Sequence, residues 1–299
     1  MKKKFLIIGG DTRNFYLYEE LKKENYDVDI VGFSDFSEEI NSHKEINLFG
    51  TALIKNYDVI VTAIPNLDDK YLYMPFNDSK DSKIEKIEIV KLLNEMNKNQ
   101  IYVSGKINDK TAEILNAKEI KYIDISEDES FALKNAVPTA EGAICVAIEN
   151  TNKTFKGREI LILGFGRIGE YLAKISKSLG ANVTVATKSA IHSKISKIES
   201  YGFTPIYTED IKNYVNGFDI IFNTIPFVYL EKAELELMKN DVLIIELASK
   251  PYGVDFDEAQ KQNKKVISAS GLPGKVAPCS VAVYIKDIIL QILSYKKTI

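Results

Sequence analysis

The sequence predicts an α/β protein of two doubly wound Rossmann-like domains with parallel sheets, joined by a long interdomain helix. Three observations lead there. First, Ile160–Gly169 reads ILILGFGRIG, so four apolar residues run into Gly164, Gly166 and Gly169 at the G-x-G-x-x-G spacing. Second, short apolar runs alternate with amphipathic stretches along the chain, the signature of strands joined by helical crossovers. Third, two segments recur in the same order. Phe5–Asn14 lines up with Ile160–Gly169, and Asp58–Pro65 (DVIVTAIP) lines up with Asp219–Pro226 (DIIFNTIP).

A chain of 299 residues is comfortable for two domains. Hydrophobic content of 45% and charged content of 27% describe an ordinary globular protein. A net charge of −3 gives no electrostatic case for nucleic acid or an anionic membrane. The start, MKKKFLIIGG, has too short an apolar run for a signal peptide and reads as a first buried strand. No apolar run approaches transmembrane length. Cys145 and Cys279 sit in apolar surroundings, and His43 and His192 are far apart, so a metal site is not expected. A reduced, cytoplasmic setting is the default expectation.

Taken in order, Lys4–Gly10 is a strand entering a glycine turn, followed by a helix with Phe15, Leu17, Tyr18 and Leu21 on its apolar face. Val28–Phe33 and Asp58–Ala63 are strands, and 66–83 is a tyrosine-rich loop. A helix at 84–97, a strand at Gln100–Ser104, a helix from Thr111 and a short strand at Lys121–Asp124 complete the first half. Pro138 marks a break, after which Thr139–Asn150 forms the helix between domains. Its small residues Ala140, Gly142, Ala143 and Ala147 allow close approach.

The second half repeats the pattern. A helix begins near Arg167 and is stopped by Gly180. Asn182–Ala186, Asp219–Asn223, Leu243–Leu247 and Val266–Ser268 are strands, and Ile191–Ser200 is a helix. Gly271–Gly274 is a turn, and Ser280–Leu293 a long apolar helix. The expected domains are 1–138, completed by 277–299, and 153–276, with 139–152 between them. In such sheets ligands bind at the carboxyl ends of the strands, so a cleft between the two domains is the expected site.

The glycine turn predicts a dinucleotide pyrophosphate held by Gly164, Gly166, Arg167, Ile168 and Gly169 at a helix N-terminus. NAD sites usually place an acid against the ribose about twenty residues on. Here the next strand ends Ala186–Thr187–Lys188–Ser189. Two hydroxyls and an ammonium suit a 2′-phosphate, so NADP is expected over NAD. The alternative is that Lys188 and Arg167 are solvated surface residues. Thr224 and Pro226, closing a strand, would wall the nicotinamide side, or the proline would simply end the strand.

The first domain's turn, Gly9–Asn14, lacks the third glycine and carries Asp11. It suits a substrate better than a pyrophosphate, with Arg13 as a carboxylate fork, unless Arg13 and Asp11 simply pair to shape the loop. Lys250 and Lys275 follow strands and could bind carboxylates or move a proton if desolvated, or be exposed. Ser104 at a strand end is a further candidate for substrate contact.

Six segments together are more specific than any one motif: IGGDTR at 8–13, VPTAEGAICVAI at 137–148, LGFGRIG at 163–169, TIP at 224–226, ELASKPYGVDF at 246–256 and GLPGKVAP at 271–278. On these the chain resembles the A-subunit family of dipicolinate synthase from spore-forming bacteria. The resemblance implies a mother-cell oxidoreductase that converts dihydrodipicolinate to dipicolinate with NADP, together with the smaller, flavoprotein-like B-subunit of dipicolinate synthase. Under it, Arg13, Thr139 and the backbone at Gly142 are candidates for the substrate carboxylates, beside Lys250 and Lys275. Glu141 is a candidate proton acceptor, or a first-turn acid favoured by the helix dipole. Two rivals remain open: a nucleotide-binding regulatory protein with the chemistry on the B-subunit, and an NAD(P)-dependent hydroxyacid or alanine dehydrogenase.

Overall fold

The computed structural model describes residues 2–33, 54–66, 68–76, 86–188 and 192–295. The chain divides into two compact units, Met1–Lys134 with Ala277–Ile299, and Asn135–Val276. His43, Ser189 and parts of the 66–83 loop lie outside the described residues, as does the start of the helix expected at 84–97.

The first unit runs β1 (Lys4–Ile8), α1 (Thr12–Lys23), β2 (Asp27–Val31), β3 (Val59–Val61), α2 (Ile89–Glu95), β4 (Ile101–Ser104), α3 (Asp109–Ala117) and β5 (Lys121–Asp124). Then α4 (Glu129–Asn150) leads into the second unit. That unit continues with β6 (Glu159–Leu163), α5 (Arg167–Ser178), β7 (Asn182–Thr187), α6 (His192–Ser200), β8 (Thr204–Tyr207) and β9 (Ile220–Asn223). It closes with α7 (Lys232–Leu237), β10 (Leu243–Glu246), α8 (Phe256–Lys261), β11 (Lys265–Ser268) and α9 (Leu272–Val276). The terminal helix α10 (Pro278–Tyr295) belongs to the first unit.

Both sheets are parallel. The first has the order β2-β1-β3-β4-β5, and the second β11-β10-β9-β6-β7-β8. Each therefore has a switch point beside its first strand, between β1 and β3 and between β6 and β9. Alternation along β1 sends Phe5 and Ile7 into one core layer and Leu6 and Ile8 into the other. The α1 side is completed by α10, whose Val281, Ala282, Ile285, Ile288 and Ile289 join Leu17, Tyr18 and Leu21. Lys286 adds an ion pair to Glu24 at 3.1 Å.

The recurrent DxIxxTIP-like segments have one physical basis. Asp58 accepts from the N–H of Lys4, the first residue of β1, at 2.8 Å. Asp219 accepts from the N–H of Glu159, the first residue of β6, at 3.0 Å. Each aspartate thus ties the amino end of its unit's first strand to the strand beside it.

Several expectations are corrected. The helix expected from Thr139 begins ten residues earlier, at Glu129, where Asp128 Oδ1 accepts from the N–H of Phe131 at 2.8 Å. Pro138 sits inside α4 rather than ending a segment, at the cost of the bond to the Lys134 carbonyl. Glu141 is consequently mid-helix and has no first-turn role. The Gly271–Gly274 turn is in fact the entrance to α9, where Pro273 is tolerated in the first turn. Cys145 and Cys279 are exposed, since each falls on the outer face of its helix. Among the described residues α4 has the length and composition of a membrane span. Its Ala140, Ala143 and Ala147, however, are fully buried in the second unit's core.

Gly142 shows why α4 needs small residues. A Cβ there would stand 3.0 Å from Leu272 Cβ and 3.2 Å from Val276 Cγ2 of α9. Gly142→Val is expected to lower stability by about 1–3 kcal/mol through overpacking, read as a lower thermal midpoint.

Candidate functional site

In the second unit the turn after β6 stands at the switch point. Gly164 has φ +98°, a left-handed conformation open to glycine, and any Cβ would run into Thr224 Oγ1. At Gly169 a Cβ would collide with the Gly164 carbonyl, so this glycine lets α5 pack onto the turn. Gly166 differs: a Cβ there meets nothing within 4 Å. It is the N-cap residue of α5 and offers no side-chain cap. Space is therefore open beside Gly166 at the positive dipole end of α5, which is the arrangement a pyrophosphate requires. Arg167 is exposed, Ile168 half-buried and Gly169 buried. Thr224 Oγ1 donates to the Leu163 carbonyl at 2.7 Å, locking the end of β9 to the turn, and Pro226, two residues on, is exposed.

At the end of β7, Thr187 is buried and Lys188 exposed, with no acid between Val183 and Lys188. Ser189 lies outside the described residues.

The neighbouring strand ends hold a group that the sequence motifs do not reveal. Glu246 closes β10 with no exposed surface. Its Oε1 accepts from Asn223 Nδ2 at 2.7 Å and from the Ala248 N–H at 2.8 Å. Its Oε2 accepts from the Gly253 N–H at 2.9 Å and lies 3.0 Å from Asn223 Nδ2. Burial pushes this carboxyl above its ordinary pKa, against the pull of those donors. One signal was available, a carboxylate ending the otherwise apolar run VLIIE. Phe227, just past β9, was also missed; it is 58% exposed and sits 4.9 Å, ring to ring, from Tyr229.

Among the described residues Lys250 and Lys275, both exposed, make no hydrogen bond or ion pair. They stand after β10 and β11, on the carboxyl side of the sheet. Glu141 is exposed on α4. Thr139 spends its hydroxyl proton on the Asn135 carbonyl, at 2.7 Å. Gly142, expected to offer backbone to a substrate, is buried inside the helix and packs on α9.

In the first unit Asp11 caps α1 and grips Arg13. Arg13 Nε lies 2.9 and 3.1 Å from the two carboxylate oxygens, and Nη2 lies 2.6 Å from Oδ2. The loop-shaping pair is thus formed, and one edge of the 5% exposed Arg13 is already taken. Ser104 is buried and donates to the Ala63 carbonyl at 3.1 Å.

Two depressions lie at the opposite, amino edges of the sheets. One, of about 430 Å³, includes Arg158, Asp219, Lys153 and Asp241, whose charges pair with one another. The other, of about 730 Å³, includes Lys2, Lys3 and Lys98. Neither lies at the carboxyl ends of the strands, where the glycine turns stand.

Comparison with known proteins agrees with this division. Residues 4–126 match the N-terminal domain of the dipicolinate synthase A-subunit. Residues 139–252 match the NAD-binding domain of D-isomer specific 2-hydroxyacid dehydrogenases, so a nicotinamide dinucleotide is the cofactor class of the second unit. The dipicolinate synthase A-subunit of Bacillus subtilis is 29% identical over 291 residues, covering 97% of this chain and 96% of the relative. The crystal structure of that Bacillus subtilis protein superposes with a TM-score of 0.81 at 29% identity, covering 99% of this chain and 97% of the other. The corresponding A-subunit crystal structure from Bacillus halodurans gives 0.83 at 26% identity, covering 97% of each. Both units are matched in order, so along nearly its whole length the chain is similar to the A-subunit of dipicolinate synthase.

Proposed function

We propose that this chain oxidises dihydrodipicolinate to dipicolinate, with NADP bound at the turn after β6. Its partner is the flavoprotein-like B-subunit, and its setting the cytoplasm of a sporulating cell. The observation that carries the cofactor part is the combination of an uncapped α5 behind Gly166 with the acid-free end of β7. A carboxylate after β7 would repel a 2′-phosphate, whereas Lys188 attracts it.

The reaction removes a hydride and a proton from the dihydropyridine ring and leaves an aromatic pyridine with both carboxylates intact. The oxidised nicotinamide, when bound, supplies the hydride acceptor. What this chain contributes is position and charge. The ammonium groups of Lys250 and Lys275 neutralise substrate carboxylates at the carboxyl edge of the sheet. Arg13 offers its remaining guanidinium edge to a carboxylate, with Ser104 and the Thr139 hydroxyl oxygen as further polar contacts. Glu141, an exposed carboxylate, takes the ring proton. Thr224 and Pro226 wall the nicotinamide side, and Thr187 and Ser189 flank Lys188 on the ribose side.

Assaying dihydrodipicolinate oxidation with NADP and NAD, with and without the B-subunit, checks this. Reduced nicotinamide appearing in step with dipicolinate supports it, and dipicolinate formed without it refutes it. Lys188→Glu is expected to weaken NADP binding by about tenfold or more, equivalent to about 1.4 kcal/mol, while leaving NAD binding little changed. Titrations of both cofactors check it; unchanged NADP affinity removes Lys188 from the site.

A further inference from the structure

Glu246 is the most deeply buried ionisable group at the carboxyl edge of the second sheet, and no cation pairs with it among the described residues. A buried carboxylate is tolerated where every oxygen receives hydrogen bonds from fixed donors. Here the donors come from two loops. The Asn223 side chain also bonds its own loop: Nδ2 donates to the Ile225 carbonyl at 3.0 Å, and Oδ1 accepts from the Ile225 N–H at 3.2 Å. Ala248 and Gly253 bracket the segment that carries Ser249, Lys250, Pro251 and Tyr252.

Gly253 extends the connection. Its carbonyl accepts from the N–H groups of Tyr229 at 3.1 Å and Leu230 at 3.0 Å, on the far side of the loop after β9. The pinned segment is also one that would not hold its shape unaided, because Tyr252 has φ +68°, a left-handed conformation that non-glycine side chains disfavour. A chain held so, with an exposed and unpaired lysine at its tip, has a fixed ammonium position only if its two ends are fixed.

We propose that Glu246 is a positioning residue: its carboxylate, by accepting from Asn223, Ala248 and Gly253, fixes the 247–253 loop so that Lys250 presents its ammonium to a substrate carboxylate. This rests on the reading that the carboxyl edge of the second unit is the reaction site. The carboxylate acts only as an acceptor, which is why glutamine is not equivalent. One face of a glutamine amide is a donor, and it would confront the N–H groups of the loop or the Asn223 amide.

The test uses the full chain, assembled with the B-subunit for turnover, and the variants Glu246→Gln, Lys250→Ala and the double variant. Glu246→Gln is expected to raise KM for dihydrodipicolinate and Kd for dipicolinate by about tenfold, with the dinucleotide Kd within about threefold. Adding Glu246→Gln to Lys250→Ala should cause little further loss, because the first acts through the second. Independent, multiplicative losses, or an unchanged Kd for dipicolinate, would overturn the proposal. Hydrogen exchange at the Ala248 and Gly253 amides reads the pin without reference to catalysis. It should accelerate by about tenfold or more in Glu246→Gln, and unchanged exchange would overturn the proposal even if activity fell. A wild-type chain that neither binds dipicolinate nor turns over would defeat the functional reading, while the exchange result still decides whether Glu246 holds the loop. If Glu246→Gln does not fold, Asn223→Ala, which removes one donor and leaves the carboxylate, goes through the same measurements with the same expected directions.

Discussion

Gly169→Ala is expected to lose dinucleotide binding and stability together, whereas Gly166→Ala loses binding alone. The difference lies in what a methyl group would meet. At Gly169 it would enter the Gly164 carbonyl, a backbone atom that can yield only if the turn opens or α5 moves away from β6. Overpacking of this kind costs about 1–3 kcal/mol and at times more. A displacement of about 1 Å in a cradle of backbone N–H groups is enough for about a hundredfold loss. At Gly166 the methyl meets no protein atom within 4 Å, so the fold has room for it. The same open space is where a pyrophosphate would approach the first N–H groups of α5, and the methyl would occupy it. Thermal melts and dinucleotide titrations on both variants check the pair. Equal and small effects at the two positions would mean that the turn cradles no phosphate.

The largest stability effect away from the site is expected at Asp219. It pairs with Lys239 at 2.8 Å and Arg158 at 3.3 Å, and also accepts from the N–H of Glu159 at the start of β6. Burial opposes ionisation, but Lys239, the Glu159 N–H and Arg158 outweigh it and hold the carboxyl below the ordinary aspartate range. Asp219→Ala should cost about 2–3 kcal/mol at neutral pH, since it strands a strand-end N–H and two cations that are partly removed from water. The counterpart Asp58→Ala should cost about 1 kcal/mol, because Asp58 is itself more than twice as exposed as Asp219 and pairs with Lys3 at a longer 3.4 Å. The pH dependence follows in sign. A depressed folded pKa means that the unfolded state binds the proton more readily, so stability rises with pH across that window. The Asp219 contribution is complete above the unfolded aspartate value of about 3.9 and is lost as the pH falls through the depressed folded value. Denaturant melts from neutral to acid pH should therefore show wild type and Asp219→Ala converging in acid.

Most of the fold was legible because the strands are buried on both faces and appear as apolar runs between glycines. The internal repeat then indicated two units. The misses have local causes. β8 carries Pro205, which argues against a strand, yet β8 is the edge of its sheet, where a missing N–H is tolerated. The front of α4 was hidden by Pro138, although Asp128 supplied a capping signal three residues before Phe131. Short helices such as α7 and α8 are held by tertiary packing and leave little periodicity. At the site the glycines were legible because their spacing answers to one geometry. Arg13 was not, because nothing in the sequence decides between a substrate carboxylate and the Asp11 two residues away. Glu246 was missed because a burial that removes all exposed surface is a property of the ends of β9 and β10 and the loop after β10 together, not of the run VLIIE.

Under the proposed function, hydride passes from the substrate to a nicotinamide held on this chain by the turn after β6. Dihydrodipicolinate carrying deuterium at the ring position that loses hydride tests it most directly, in the assembled enzyme with NADP. One deuterium is expected in the reduced nicotinamide for each dipicolinate formed, with loss of that transfer in Gly166→Ala. Dipicolinate formed at the wild-type rate in Gly166→Ala, with the label absent from nicotinamide, would contradict it and place the oxidation on the partner protein.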